Sequence, residues 1–295
     1  MTRRNFLGAS TLALAATGVT APFQRPGKPV LRPALAAYSF RNHFRFMRGN
    51  PRPVKTKPMD MIKFIDFCAD QDCAGAELTS YFFKPEITRQ YLVELRRHAF
   101  LRGLDICGSA VGNNFSLPKG PARDAQIAYV KEWIDHCAVL GAPHIRVFAG
   151  REPKGVSREE ADKWAIEALR ECCDHAGRHG IFLGIENHDS IGDAKSLIRF
   201  VKAVDHKWFG VNLDTGNFRT ANPYVDMAAA APFAVNVQLK VELKIDGQHK
   251  PADLGRVANI LRKANYQGYV VLEYEAKEDP YTAVPPFLNK LRAVL

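Results

Sequence analysis

The 295-residue sequence has no glycine-rich phosphate loop of the GxGxxG or GxxxxGK[ST] kind, no short-period repeat and no low-complexity tract. The usual phosphate-cradling signatures and repeat architectures are therefore excluded. Its six cysteines (Cys68, Cys73, Cys107, Cys137, Cys172 and Cys173) lack the paired spacing of a zinc finger. Most fall beside apolar residues on expected helices, so they read as small buried side chains rather than a disulfide framework. The first 21 residues contain no acid, and their apolar stretch is too short to form a comfortable membrane-spanning helix.

That opening stretch carries Arg3-Arg4, then Phe6-Leu7, then an Ala-rich run ending in small residues near Ala21. It reads as a twin-arginine export signal, cleaved near Ala21, with the mature protein exported to the periplasm and no stable membrane insertion afterwards. Residues 22–33 follow as a Pro-rich tether, and 34–295 as one domain, close to the roughly 250 residues typical of a single (β/α)₈ barrel. The formal charge of +10 would invite nucleic acid or acidic substrates if concentrated. It is scattered along the chain, as on a solvated surface.

The informative stretch is 181–217, an apolar run, a helix-like segment and a second apolar run. Leu183 and Ile185 alternate with Gly184, Glu186 and His188, and Val211 and Leu213 alternate with Asn212 and Asp214, so each run is a strand with its acid on one face. VNVQLKVEL (Val235 to Leu243) and GYVVLEYEA (Gly268 to Ala276) follow the same plan with Gln238, Lys240, Glu273 and Glu275. Upstream, LAAYSF, AGAELTSYFF, LDICGSAVGNNF and HIRVFAG read as strands one to four. Glu77 and Thr79 share the inward face of the second, and Arg146 and Phe148 share a face of the fourth. Helices are expected over Met59 to Gln71, Glu86 to Arg102, Pro121 to Leu140, Ser157 (a capping box with Glu160) to His179, Asp193 to Val204, Tyr224 to Ala230, Ala252 to Ala264 and Pro285 to Leu295. Arg41 to Pro58 is a long basic loop, either a lid, a contact to a partner subunit, or disordered.

Helices between strands imply parallel pairing, and eight such pairs make a closed (β/α)₈ TIM barrel. At the C-terminal mouth Glu186, Asp214, Gln238 and Glu273 converge. Three carboxylates and an amide oxygen suit one hard divalent cation, Mn²⁺ first, with Mg²⁺ or Co²⁺ as alternatives.

The motifs GIENH, NLDTGN, VQLK and VLEYE, in this order, resemble the xylose-isomerase-like superfamily of TIM barrels. The resemblance implies that these four residues bind the metal and that Glu186 and Glu273 act as base and acid. The reaction it implies is isomerisation or epimerisation of a keto sugar or related polyol through a metal-stabilised enediolate. His188, Lys240, Glu77 and Arg146 are candidates for holding substrate, with Lys240 able to act as a proton shuttle if its pKa is lowered. The alternative is a metal-dependent lyase acting on 3-keto glycosides or C-glycosides in partnership with a sugar oxidoreductase. A nuclease of the same superfamily fits poorly, because Asn217 stands where its histidine ligand would be. A non-catalytic sugar-binding barrel fits poorly with both glutamates present. The expected partner is thus a small carbohydrate rather than nucleic acid; a homo-oligomer is left open.

Overall fold

The computed structural model describes residues 23–54 and 56–295; the export-signal residues lie outside these. Eight parallel strands close a barrel in the order β1 (Val30–Ala36), β12 (Gln267–Leu272), β9 (Ala234–Leu239), β8 (Phe209–Asp214), β7 (Phe182–Glu186), β6 (His144–Val147), β5 (Asp105–Ala110) and β4 (Gly75–Glu77). Around them stand α1 (Met61–Asp70), α2 (Arg89–Leu101), α3 (Pro121–Leu140), α4 (Arg158–Arg178), α5 (Ala194–Val204), α6 (Pro223–Ala230), α7 (Leu254–Lys263) and α8 (Pro280–Val294). Two short hairpins complete the set, β2 (Phe46–Met47) with β3 (Asn50–Pro51), and β10 (Glu242–Ile245) with β11 (Gln248–Pro251). Among the described residues no helix is long and apolar enough to cross a membrane.

The strand alternation read from sequence is the alternation of the barrel. Leu183, Ile185, Val211 and Leu213 are fully buried in the apolar layer beneath the helices. Gly184, on the other face of β7, points into the barrel, where an added Cβ would meet His144 Nε2 at 2.5 Å. Helix starts carry side-chain caps: Ser157 accepts from Glu160 N at 3.2 Å, Asp193 from Ser196 N at 2.8 Å and Asp253 from Arg256 N at 2.9 Å. Gly141, with φ 78°, ends α3 in the left-handed conformation. All six cysteines are buried free thiols.

Several boundaries differ from expectation. Strand β1 begins at Val30, four residues inside the expected tether, and LAAYSF is its end followed by a 3₁₀ turn, Ala37–Phe40. The residues before it are not a free tether: Phe23 packs edge-on against Phe182 at 5.8 Å, and the Arg25 guanidinium lies 5.0 Å from the Tyr266 ring. VNVQLKVEL divides after Leu239 into a barrel strand and a hairpin arm. Helix α8 starts at Pro280, capped by Asp279 accepting from Tyr281 N at 3.0 Å, so Pro285 and Pro286 lie inside it rather than at its start. The described residues of the long basic loop pack on the barrel, with Phe44 stacked on Phe82 at 4.5 Å. Its hairpin turns at Arg48 and Gly49, both with positive φ (51° and 77°), as a two-residue primed turn requires.

Candidate active site

Glu186 ends β7, Asp214 ends β8, Gln238 lies near the end of β9 and Glu273 directly follows β12, so the four expected donors stand at the C-terminal ends of four consecutive barrel strands in the chain, and Glu186 and Glu273 of the four line the cavity above. Register pairs Asp214 with Gln238 across β8 and β9. Backbone clamps hold this rim. Asn187 donates through Nδ2 to Asp214 O at 2.8 Å and accepts from Asp214 N at 2.9 Å. Asp214 Oδ1 accepts from Gly216 N at 2.8 Å, and Thr215 Oγ1 accepts from Lys240 N at 2.9 Å. Asn187, Thr215 and Gly216 of the IENH and LDTGN runs therefore build the rim on which the acids stand.

Above the rim is a cavity of about 130 Å³ whose walls include Glu186, Glu273, Glu275, Lys240, Arg146 and His188. Tyr38, Tyr81 and Phe148 add aromatic surface, and Arg48 and Asn217 polar surface. Arg146 Nε lies 2.7 Å from Glu186 Oε2, its Nη1 donates to Val111 O at 2.8 Å, and its guanidinium sits 4.1 Å from the Phe148 ring. Asn217 donates to Glu186 Oε1 at 2.8 Å. The His188 ring lies 4.4 Å from Phe148, with Nδ1 3.3 Å from Asp189 Oδ2. Lys240 Nζ is 3.0 Å from Glu273 Oε1 and 3.2 Å from Asp214 Oδ2, and also contacts Glu275. Burial acts to lower the Lys240 pKa, but Asp214, Glu273 and Glu275 outweigh it and hold the ammonium charged well above its ordinary range. The condition for a neutral lysine shuttle is therefore not met.

Glu77 is fully buried inside the barrel and does not line this cavity. Its carboxylate accepts from Gln238 Nε2 at 2.8 Å and from Asn236 Nδ2 at 3.2 Å. Asn212 in turn donates to Gln238 Oε1 at 2.7 Å and accepts from Asn236 at 2.9 Å. In this arrangement Glu77 orients Gln238 rather than reaching toward the cavity. Burial, then the Glu273 charge, pushes Glu77 up to about 7. Burial, opposed by Lys240 and reinforced by Glu186 and Glu273, pushes Asp214 up to about 7. Burial also raises Glu186, against the pull of Arg146.

These shifts set a sign for pH dependence in the metal-free protein. Both folded values lie above the unfolded carboxylate range near 4, so the native state holds extra protons between about pH 4 and 7. Stability contributed by these groups is present below that window and declines as pH rises through it. We expect the pH 5 to pH 8 loss in unfolding free energy to shrink in Glu77→Gln by on the order of 2 kcal/mol. Denaturant titrations at the two pH values check this, and an equal loss in both proteins contradicts it.

The donor chemistry suits a divalent cation. Four buried carboxylates, Glu77, Glu186, Asp214 and Glu273, share two buried cations, Arg146 and Lys240. Glu186 Oε2 and Asp214 Oδ2 are approached by those cations at salt-bridge distance but have no aligned hydrogen-bond donor. Oxygens left in this state favour a further cation. A separate cluster, Asp135 with His175 and His179, bridges α3 and α4. It sits near the C-terminal ends of helices that run back along the barrel, away from the mouth, and Asp135 is already within 2.7 Å of His175 and 3.2 Å of His179.

Several residues of the cavity wall and the barrel interior escaped sequence reading. Arg48 arrives from the turn of the β2–β3 hairpin, held by its backbone N donating to Tyr81 O at 2.7 Å and by its guanidinium 4.7 Å from the Tyr81 ring. Tyr38 comes from the turn after β1. His144 is buried inside the barrel and held neutral, its pKa lowered to about 3 by burial and then by Arg146.

Fold and site together define a (β/α)₈ barrel with an acid cluster at its C-terminal mouth. The chain belongs to the xylose isomerase-like TIM barrel family, whose model matches residues 65–291. Similar solved structures include D-psicose 3-epimerase crystallised in the presence of D-fructose, at 18% identity over 88% of this chain and 89% of that one, with TM-score 0.67. Another is 3-keto-D-glucoside 4-epimerase from E. coli, at 18% identity over 90% of this chain and 100% of that one, with TM-score 0.65. A third is a xylose isomerase-like TIM barrel protein from Mycobacterium smegmatis in complex with magnesium, at 18% identity over 91% and 98%, with TM-score 0.67. At these identities the likeness is one of fold.

Proposed function

We propose that this protein is a metal-dependent isomerase or epimerase of a keto sugar. The observation that carries the reading is that Glu186, at the end of β7, and Glu273, just after β12, face one small cavity at the barrel mouth together with Arg146, Lys240 and His188. Epimerase activity among proteins of similar fold supports it.

A divalent cation, Mn²⁺ by preference, would be held by Glu186, Asp214, Gln238 and Glu273, and would supply Lewis-acid polarisation of the substrate carbonyl and neighbouring hydroxyl. The chain's own groups do the rest. One glutamate takes the proton from the carbon beside the carbonyl, and the other returns a proton to the opposite face of that carbon. Burial raises the Glu186 pKa, the direction that favours a carboxyl able to carry a proton. The Arg146 guanidinium, fixed by Val111 O and Phe148, holds Glu186 in place. The charged Lys240 is placed to donate a hydrogen bond to a developing oxyanion. His188, with its ring against Phe148, is placed to hold a substrate hydroxyl, and Tyr38 and Tyr81 limit water around the reacting carbon.

The test is to incubate Mn²⁺-loaded protein with keto sugars and 3-keto glycosides in D₂O and follow the products by NMR. Deuterium in the carbon beside the carbonyl, with an epimer or isomer, is expected. Elimination products would instead identify a lyase, and absence of exchange on every keto substrate would overturn the proposal. We also propose export: residues 1–30 fused to a reporter should reach the periplasm, and Arg3→Lys with Arg4→Lys should block this. Unchanged export in the double variant would contradict it. A 3-keto glycoside arises by oxidation of a secondary hydroxyl, so a sugar oxidoreductase would be the supplying reaction.

A further inference from the structure

The Lys240 ammonium is bonded to oxygens of two of the four residues proposed to bind a cation. It is within salt-bridge distance of Asp214 Oδ2 and Glu273 Oε1, two of the proposed metal ligands, and of Glu275 Oε2, which is not one of them. The stem of the side chain is fixed. Its backbone N donates to Thr215 Oγ1, and its Cβ and Cγ fill the space left by Gly216, where an added Cβ would come within 2.9 and 2.6 Å of them. The ammonium end is held by the three carboxylates. An ammonium and a divalent ion bonded to the same oxygens would repel strongly across a few ångströms of buried, poorly screened space. A retreat exists: Glu275 is 39% exposed, against 1% for Asp214 and 7% for Glu273. Lys240 and Glu275 both also line an adjoining cavity of about 240 Å³, with Gly216, Asn217 and His249.

We infer that Lys240 is the built-in counter-cation of the metal-free site, neutralising Asp214 and Glu273, and that it withdraws to Glu275 when a divalent ion binds. Glu275 is on this account a positioning residue for the metal site. The inference rests on the metal-site reading above but not on the reaction, because it is decided by binding rather than turnover.

The test is a double-mutant cycle on Mn²⁺ affinity, measured by calorimetric titration of chelator-stripped protein. Lys240→Met should bind Mn²⁺ at least about tenfold tighter than wild type, the direction set by removing the competing charge. Glu275→Gln, which strands the ammonium on the ligands, should bind it several-fold weaker. Added to Lys240→Met, the same Glu275→Gln change should alter affinity less than about twofold, because no ammonium remains to be docked. Should Lys240→Met fail to fold without metal, Lys240→Gln takes its place in the cycle, keeping a donor for the acids without the charge. The inference is overturned if the lysine variant binds Mn²⁺ no tighter than wild type, if Glu275→Gln has the same effect in both backgrounds, or if no protein in the cycle binds Mn²⁺.

Discussion

Glu273→Gln is expected to lower turnover of the keto-sugar substrate by ~10²–10⁴-fold, the usual contribution of one general acid or base. The amide keeps a coordinating oxygen and nearly the same volume, so the fold should survive and metal should still bind at saturating Mn²⁺. What is lost is the proton carrier, together with one partner of the Lys240 ammonium at 3.0 Å. Steady-state rates with metal content checked by elemental analysis separate the two effects. Near wild-type turnover in metal-saturated Glu186→Gln and Glu273→Gln would transfer the role of base to His188, since Lys240 is held charged.

Arg146→Met is expected to produce the largest loss of stability. Arg146 and Glu186 have side chains only 6% and 4% exposed, 2.7 Å apart. Removing one member of such a pair costs ~3–5 kcal/mol, because the partner is left buried without its counter-charge. At ~2–4 °C per kcal/mol for a chain of this size, Tm should fall on the order of 10 °C. Glu186 would recover part of the loss by taking a proton, so its pKa should rise further and the limb of the pH–rate profile that Glu186 governs should move to higher pH. Thermal unfolding and a pH–rate profile measure both. A Tm change below about 2 °C would mean that the pair is solvated and of little structural weight.

The barrel, and the placement of Glu186, Asp214, Gln238 and Glu273 at its C-terminal strand ends, were legible because they depend on local patterns. Period-two alternation places Glu186 and Asp214 opposite Leu183, Ile185, Val211 and Leu213, and the helical stretches between runs demand parallel strands. Contacts made by chain segments distant in sequence were not legible. The Glu275 contact of Lys240 is suggested by two neighbouring strand motifs, but its approach to Asp214 and Glu273 depends on how the rim curves. Arg48 enters the cavity through a primed turn in a loop that carries no periodic signal. Glu77 reads as an inward-facing acid, and it is one, but the depth that turns it toward Gln238 follows from barrel stagger. The Pro285-Pro286 pair resembles a helix start, yet the Asp279 cap and Pro280 lie upstream and win. The Asn187 clamp on Asp214 could have been suspected from the polar residue between Glu186 and His188, since a buried asparagine needs partners for both ends of its amide.

The most direct test of the two-glutamate account is solvent exchange in the single variants. Metal-saturated Glu186→Gln and Glu273→Gln would each be incubated with the identified keto-sugar substrate in D₂O and the recovered substrate examined by NMR. If each glutamate serves one face of the reacting carbon, one variant should exchange the C–H of unconverted substrate while forming little epimer, because abstraction survives and delivery to the other face does not. Exchange and epimer formation lost together in both variants, or retained together in both, would contradict the division of roles between Glu186 and Glu273.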